Sequence, residues 1–278
     1  MKRKMILIFA LITYNFASSQ NSISNTSQFY TDSIYSKHLS EYRKHNIYLP
    51  KGYEMKKEYP IVYATDGIKI KKDVENINKK ILDSLISNKI IKSIIYVESF
   101  CNVKIADSVI ARNGKQIYLD YRNYEYVEIN SKTSNNPELA DRFDNHMSYF
   151  SEEFIPSIEK KLNIKVKKTD RIFYGYSNGA GFGINLLNRH PDILGNFICF
   201  STLGSNAKRL KWNTNTKYPK LYIEYGNEES YFFKEETENI IENYKLSKSF
   251  YQLNIFHGGH DYKKWNKEFG NTLIKILK

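Results

Sequence analysis

The sequence is short of cysteine, of acid and of long apolar runs. Only two cysteines occur in 278 residues, Cys101 and Cys199. They fit no metal-ligand spacing and no CxxC, so the chain shows neither a cysteine metal site nor a redox motif of that kind. Cys199 lies in the apolar run Phe197-Ile198-Cys199-Phe200 and reads as a small buried residue. Acids are outnumbered by bases, 30 to 42, for a formal net charge of +12. The excess lysine is spread over many segments, including Lys56-Lys57, Lys71-Lys72, Lys160-Lys161 and Lys263-Lys264. A nucleic-acid binder shows a concentrated basic face or a known module. Neither is visible, so the lysines read as a solvated surface. No internal repeat and no domain linker is evident. Past the N-terminus, no segment is long and apolar enough to span a bilayer.

The N-terminus is a different matter. Lys2-Arg3-Lys4 forms a positive start, Met5 to Ile12 is an unbroken apolar run, and Ala17-Ser18-Ser19 offers small residues before Gln20. This pattern reads as a secretory signal peptide over residues 1–19. The expectation is an exported protein, periplasmic or secreted, with no stable membrane insertion after cleavage. No cysteine sits near the site to carry a lipid. Without the three leading cations the net charge is +9.

What is abundant is apolar and aromatic. Apolar residues make up 41% and aromatics 15%, with 23 Tyr and 16 Phe, enough to fill a sizeable core. Residues 20–43 read as a loose arm and 44–278 as one catalytic domain. Short runs rich in Ile, Val, Tyr and Phe predict strands over Asn46–Leu49, Pro60–Ala64, Ser93–Glu98, Arg171–Tyr174, Asn196–Phe200, Lys220–Tyr225 and Phe250–Phe256. Between them, helical spacing appears in Ile77, Ile81, Leu82, Leu85 and Ile86, in Met147 through Leu162, and in Trp265 through Leu277. Residues 178–189 and 232–246 carry weaker stripes. The alternation predicts an α/β fold, a mostly parallel central sheet with helices on both faces. Residues 100–145 are polar and irregular, and read as an excursion over the sheet.

One motif carries chemistry. Gly175-Tyr176-Ser177-Asn178-Gly179 follows a predicted strand and opens a predicted helix, the context a GxSxG nucleophile elbow requires. The flanking glycines relieve crowding at a sharp turn that lifts the Ser177 hydroxyl. The helix start favours developing negative charge, and the Asn178 N–H is placed to be one oxyanion donor. A serine needs a base. Of six histidines, His38 and His45 precede the core strands, His146 starts a helix and His190 ends one. His257 and His260 remain, on the loop after the last strand, and position favours His260. The acid should follow the preceding strand, giving the order Ser, acid, His. Glu224 lies inside that strand and faces the sheet. Glu229 is the choice, Glu228 the close alternative, and a Ser–His dyad the third arrangement.

Here the sequence resembles a family. Tyr48-Leu49-Pro50-Lys51-Gly52-Tyr53, Tyr59-Pro60-Ile61-Val62-Tyr63-Ala64-Thr65-Asp66-Gly67, the segment Arg122 to Tyr126, the elbow, and Gly258-Gly259-His260-Asp261-Tyr262 with Trp265 occur in one order. That order is similar to the esterase-D-like α/β-hydrolases. The family includes siderophore (enterochelin) esterases, feruloyl and acetylxylan esterases, S-formylglutathione hydrolases and mycolyltransferases. The resemblance implies an α/β-hydrolase fold with Ser177 as nucleophile, His260 as base and Glu229 as acid. It places a second oxyanion donor on the backbone of Gly67 or Ile68. Ala64-Thr65 and the lysines Lys69 and Lys71 depart from the family's pattern. The fold implies no metal and no organic cofactor.

The expected activity is hydrolysis of a carboxylic ester through an acyl-enzyme. The substrate would be a small molecule or a carbohydrate ester, with a catecholate siderophore lactone and an acylated polysaccharide as the two candidates. An acyltransferase using the same residues, and a binding protein that keeps the scaffold without catalysis, are the rival readings.

Overall fold

A computed structural model describes residues 24–70, 76–110 and 113–278. The proposed signal peptide and Lys71 lie outside them. The described strands are β1 (Gln28–Ser36), β2 (Glu41–Leu49), β3 (Ile61–Gly67), β4 (Ile95–Phe100), β5 (Ile105–Ile110), β6 (Gln116–Asp120), β7 (Arg171–Tyr176), β8 (Asn196–Phe200), β9 (Lys220–Gly226) and β10 (Tyr251–Phe256). The described helices are α1 (Ile77–Ser87), α2 (Tyr121–Tyr126), α3 (Glu128–Lys132), α4 (Pro137–Ala140), α5 (Arg142–Ser148), α6 (Ile155–Leu162), α7 (Asn178–Arg189), α8 (Tyr231–Leu246) and α9 (Tyr262–Leu277). No described helix is long and apolar enough to cross a membrane.

Eight strands form one sheet in the order β1-β2-β4-β3-β7-β8-β9-β10. From β4 to β10 neighbours run parallel, while β1 with β2 and β2 with β4 run antiparallel. Successive side chains leave a strand on opposite faces. Ile61 and Tyr63 of β3 therefore join one core layer, and Val62 and Ala64 the other. The first layer is closed by α6, α7 and α8 through Ile158, Phe182 and Tyr244. The second is closed by α1 and α9 through Leu82, Phe269 and Leu273. Both faces being covered explains why the parallel strands read as continuous apolar runs. The fold is that of the α/β-hydrolases.

Two departures from the sequence reading have local causes. Residues 28–36, expected within a loose arm, form β1, paired residue for residue with β2 from Gln28↔Leu49 to Ser36↔Glu41. An edge strand keeps one side in solvent, so its side chains stay polar or half-exposed and its composition resembles a loop. The helix expected over 147–162 is interrupted by a widened π turn at Tyr149–Phe154. Pro156 follows at the start of α6 and has no N–H to continue the α ladder.

The excursion over 100–145 holds the β5–β6 hairpin and α2 to α4. It is tied down electrostatically. Glu125 of α2 is 0% exposed and bridges two guanidinium groups. It accepts from Arg43 of β2 at 2.8 and 3.0 Å, and from Arg142 of α5 at 3.1 and 2.5 Å. A buried carboxylate is tolerated because it is fully paired.

Glu224 of β9 is the opposite case. It is 2% exposed, one oxygen accepts from Asn254 Nδ2 at 2.9 Å, and the other has no partner. Burial pushes its carboxyl up to about 8. The folded state thus keeps a proton that the unfolded state releases near the ordinary value of 4.5. Stability falls as pH rises between those two values and the loss is complete above the upper one. Glu224→Gln preserves the shape and the neutral state and removes the ionisation. Thermal melting should show no gain for the variant at about pH 4, a gain of several degrees that grows through neutral pH, and a plateau above about pH 8. A constant difference across that range would refute the assignment.

Candidate active site

The elbow is built as the motif predicts. Ser177 joins β7 to α7 with φ 54° and ψ −128°, a region that side-chain-bearing residues rarely adopt. Surroundings hold it there. Its N–H donates to the Phe200 carbonyl of β8 at 2.9 Å. Its carbonyl accepts from Gly181 N–H at 3.0 Å and Leu203 N–H at 3.3 Å. A Cβ on Gly175 would stand 2.8 Å from the Gly179 backbone, and one on Gly179 would collide with Thr65 Oγ1. Both glycines are sterically required. Asn178 is the first residue of α7, so its N–H is one of the donors that a helix start leaves without an intrahelical acceptor. The Asn178 side chain turns away, donating to the Leu203 carbonyl at 3.2 Å.

Glu229 and His260, expected as acid and base, meet. Glu229 follows the turn at the end of β9 and its side chain is 1% exposed. One oxygen accepts from Gly226 N–H at 2.9 Å, and the other lies 2.6 Å from His260 Nδ1. Opposite a carboxylate, Nδ1 carries the ring proton, which leaves Nε2 with its lone pair free. The two loops are laced together by Asn227 N–H to Phe256 O, 3.0 Å, and Glu228 N–H to Gly258 O, 3.0 Å. The alternative pair is also present but elsewhere. His257 is 85% exposed and lies 3.4 Å from Glu228, itself 57% exposed.

Aromatic packing aims the imidazole. Phe233 of α8 lies 5.0 Å from the His260 ring, and Trp265 of α9 meets it edge-on at 4.5 Å. Trp265 in turn stacks on Tyr176, the residue before the nucleophile, at 5.0 Å and 15°. Its indole N–H donates to Ser201 Oγ at 2.9 Å. The base is therefore referenced to the elbow through one buried indole. Trp265 stood in the closing segment of the family resemblance, but its role there was invisible in the sequence.

The Gly67–Ile68 turn, where the resemblance implies a second oxyanion donor, is braced from β2 and β4. The Ile68 carbonyl accepts from Asn46 Nδ2 at 2.8 Å, and the same amide donates to Glu98 at 2.7 Å. Burial pushes the Glu98 carboxyl above its ordinary range, opposed by hydrogen bonds from Asn46 and from the Tyr96 hydroxyl. Gly67 packs under the Glu98 carbonyl, where a Cβ would come within 2.7 Å. Just before them, Asp66 holds φ 60° and is paired to Arg122 of α2 through Nε at 2.5 Å and Nη2 at 3.0 Å.

Other candidates fall away. His146 is buried, its ring 4.8 Å from Phe182, and burial holds its pKa well below the ordinary value. Burial likewise holds His45 near 4. Burial and the neighbouring Asp66 charge push the Cys101 thiol up to about 12, so it is no nucleophile at neutral pH. Cys101 and Cys199 are both free.

A cleft of about 500 Å³ opens beside Asn178. Val127, Leu203 and Phe232 supply apolar wall, Asn123 and Asn130 supply amides, and Arg209 stands among its lining residues. The loop bearing Leu203 is pinned from α8. Glu236 accepts from Gly204 N–H at 2.9 Å, Ser205 N–H at 2.5 Å and the Ser205 hydroxyl.

Comparison with known proteins gives a family and a fold. The family described as "Putative esterase" matches residues 36–276. A ferulic acid esterase superposes with a TM-score of 0.68 at 19% identity, over 91% of this chain and 98% of that one. The ferulic acid esterase of the anaerobic fungus Anaeromyces mucronatus gives 0.62 at 20% identity, over 92% of each chain. The enterobactin esterase of Shigella flexneri gives 0.59 at 13% identity, over 89% of this chain and 59% of that one. No curated protein sequence matches. With a strand–turn–helix serine, an acid-bonded histidine and a family match over nearly its whole described length, the chain belongs to the esterase family.

Proposed function

We propose that this esterase is an exported serine hydrolase acting through Ser177, His260 and Glu229. The observation that carries the proposal is the 2.6 Å bond from His260 Nδ1 to a carboxylate almost wholly withdrawn from solvent. A buried acid fixes the tautomer and stabilises the imidazolium. His260 Nε2 takes the Ser177 proton as Oγ attacks the ester carbonyl. The tetrahedral oxyanion is held by the Asn178 N–H and by the Gly67–Ile68 turn. The imidazolium gives its proton to the departing alcohol, and water, activated in the same way, releases the acid.

For substrate, the cleft favours the ester of a ring-bearing acid on a carbohydrate. Its wall joins apolar side chains that can pack a ring with amides that can bond hydroxyls. The two ferulic acid esterases among the structural neighbours are consistent with that class. A catecholate siderophore lactone is the second reading, favoured by Lys208 and Arg209 at the same cleft. Hydrolysis of a feruloylated sugar, with a catecholate trilactone cleaved at least about tenfold less efficiently, would support the first, and the reverse order the second. Export is proposed from the N-terminal pattern. Secreted protein whose first residue is Gln20 would support it, and retention with Met1 intact would refute it.

Two sets of variants test the machinery. Ser177→Ala should lose on the order of 10⁶ in kcat on a p-nitrophenyl ester, together with labelling by a fluorophosphonate. Undiminished turnover would remove Ser177 from the mechanism. Glu229→Gln should lose about 10⁴ in kcat, whereas Glu228→Gln and His257→Ala should stay within about twofold of wild type. An equal loss in Glu228→Gln would reassign the acid.

A further inference from the structure

The Asp66–Arg122 ion pair sits where the two halves of the oxyanion site meet. Asp66 immediately precedes Gly67 and Ile68, on one side of that site. Its Oδ2 also lies against α7 on the other side, since a Cβ on Gly179 would stand 2.7 Å from it. Gly179 follows Asn178, the first oxyanion donor. One carboxylate therefore spaces the end of β3 from the start of α7. Its own backbone is held in the left-handed region, at φ 60°, within a register irregularity between Ala64 and Gly67. A non-glycine residue persists there only when its surroundings impose it. The surroundings come from α2. Arg122 makes a two-pronged bond to the carboxylate and lies over the Tyr126 ring at 4.9 Å, while the Tyr126 hydroxyl accepts the Asp66 N–H at 3.3 Å. Tyr126 is 1% exposed and packs on Phe182 of α7 at 5.7 Å, so the clamp is rigid.

The pair also has an electrostatic consequence. The chemistry proposed above builds negative charge between Asn178 and the Gly67–Ile68 turn. A bare carboxylate adjoining both would oppose that charge. Arg122 cancels it. Arg122 is about one-fifth exposed and Asp66 less than one-tenth, so the pair is largely withdrawn from solvent.

We propose that Asp66 and Arg122 are positioning residues for the oxyanion site: together they set its width, and Arg122 neutralises the carboxylate that does the spacing. The proposal rests on the serine-hydrolase reading of Ser177. It separates geometry from charge, because loss of Arg122 alone leaves an unopposed carboxylate, whereas loss of both charges does not.

The experiment uses the full chain and four proteins: wild type, Arg122→Gln, Arg122→Lys and the double variant Asp66→Asn/Arg122→Gln. Turnover of p-nitrophenyl acetate, inhibition by an aryl trifluoromethyl ketone and thermal melting are measured for each. The ketone forms a tetrahedral oxyanion on the serine, so its affinity reads the oxyanion site directly. Arg122→Gln should lower kcat about 100-fold with KM within about threefold, and weaken the ketone in parallel. The double variant should regain about tenfold in kcat although it lacks both partners, and Arg122→Lys should fall between wild type and Arg122→Gln. A merely structural pair would instead lower melting temperature without splitting kcat from KM, and the double variant would be no better than the single. A folded Arg122→Gln with wild-type kcat, or a loss confined to KM, overturns the proposal. Should Arg122→Gln fail to fold, Arg122→Lys decides. About tenfold lower kcat at unchanged KM supports the positioning role, because the charge is kept and the fork is lost, and wild-type kcat overturns it. A wild type that cleaves no ester and resists fluorophosphonate overturns the hydrolase reading and this inference with it. An active wild type with an unaffected Arg122→Gln overturns this inference alone.

Discussion

The backbone of Ser177 is the constraint around which the molecule is arranged. At φ 54° and ψ −128° it occupies a conformation that costs on the order of 1–3 kcal/mol. Nothing within the pentapeptide holds it there. The restoring contacts come from a neighbouring strand through Phe200, and from the loop after it through Leu203. That loop is held by Glu236 of α8, whose carboxylate collects the N–H groups of Gly204 and Ser205. A strained serine is thus supported by parallel pairing on one side and by a carboxylate-capped loop on the other. The close approach of β3 to α7 is available only because Gly179 has no side chain.

The base is placed by a second, largely apolar, mechanism. Glu229 fixes one nitrogen of His260, but a single hydrogen bond leaves the ring free to rotate about it. Phe233 and Trp265 remove that freedom, and Trp265 carries the reference back to Tyr176 by stacking. The exposed His257–Glu228 pair has the same residue types at nearly the same spacing and none of this support. Burial of the acid, rather than the presence of an acid and a histidine, distinguishes the two.

Carboxylates recur beneath the site in graded environments. Glu125 is paired twice by arginine, Asp66 once by a fork, Glu98 by neutral donors and Glu224 by a single amide. The last two are displaced toward the neutral form, because burial without an opposing cation disfavours charge. The same rule makes Arg122 informative. An arginine spent on one carboxylate next to the elbow points to a place where uncompensated negative charge would be costly.

Much of the fold was open to sequence reasoning because buried parallel strands must be apolar on both faces. The seven expected strands fall on β2, β3, β4, β7, β8, β9 and β10, four expected helices on α1, α7, α8 and α9, and the fifth on α6 and the π turn before it. β1 escaped because an edge strand has one partner, and its half-exposed residues carry no strong apolar signature. Residues 100–145 were read as an excursion, but not as the segment whose Arg122, Glu125 and Tyr126 reach β3, β2 and α7. Those contacts span 56 to 82 residues of chain, and no local pattern encodes them. The turn at Gly175, Ser177 and Gly179 was legible in the sequence alone, since a sharp strand-to-helix turn admits few residue types, and so was the chain order of Ser177, Glu229 and His260. The bonding of His260 to Glu229 while Glu228 stays exposed beside His257, the packing of Trp265 on His260, and the bond from Asn46 to the Ile68 carbonyl were decided only by the tertiary structure. Each depends on which side chains are withdrawn from water together, and burial is a property of the packed molecule that adjacent residues in the chain do not share.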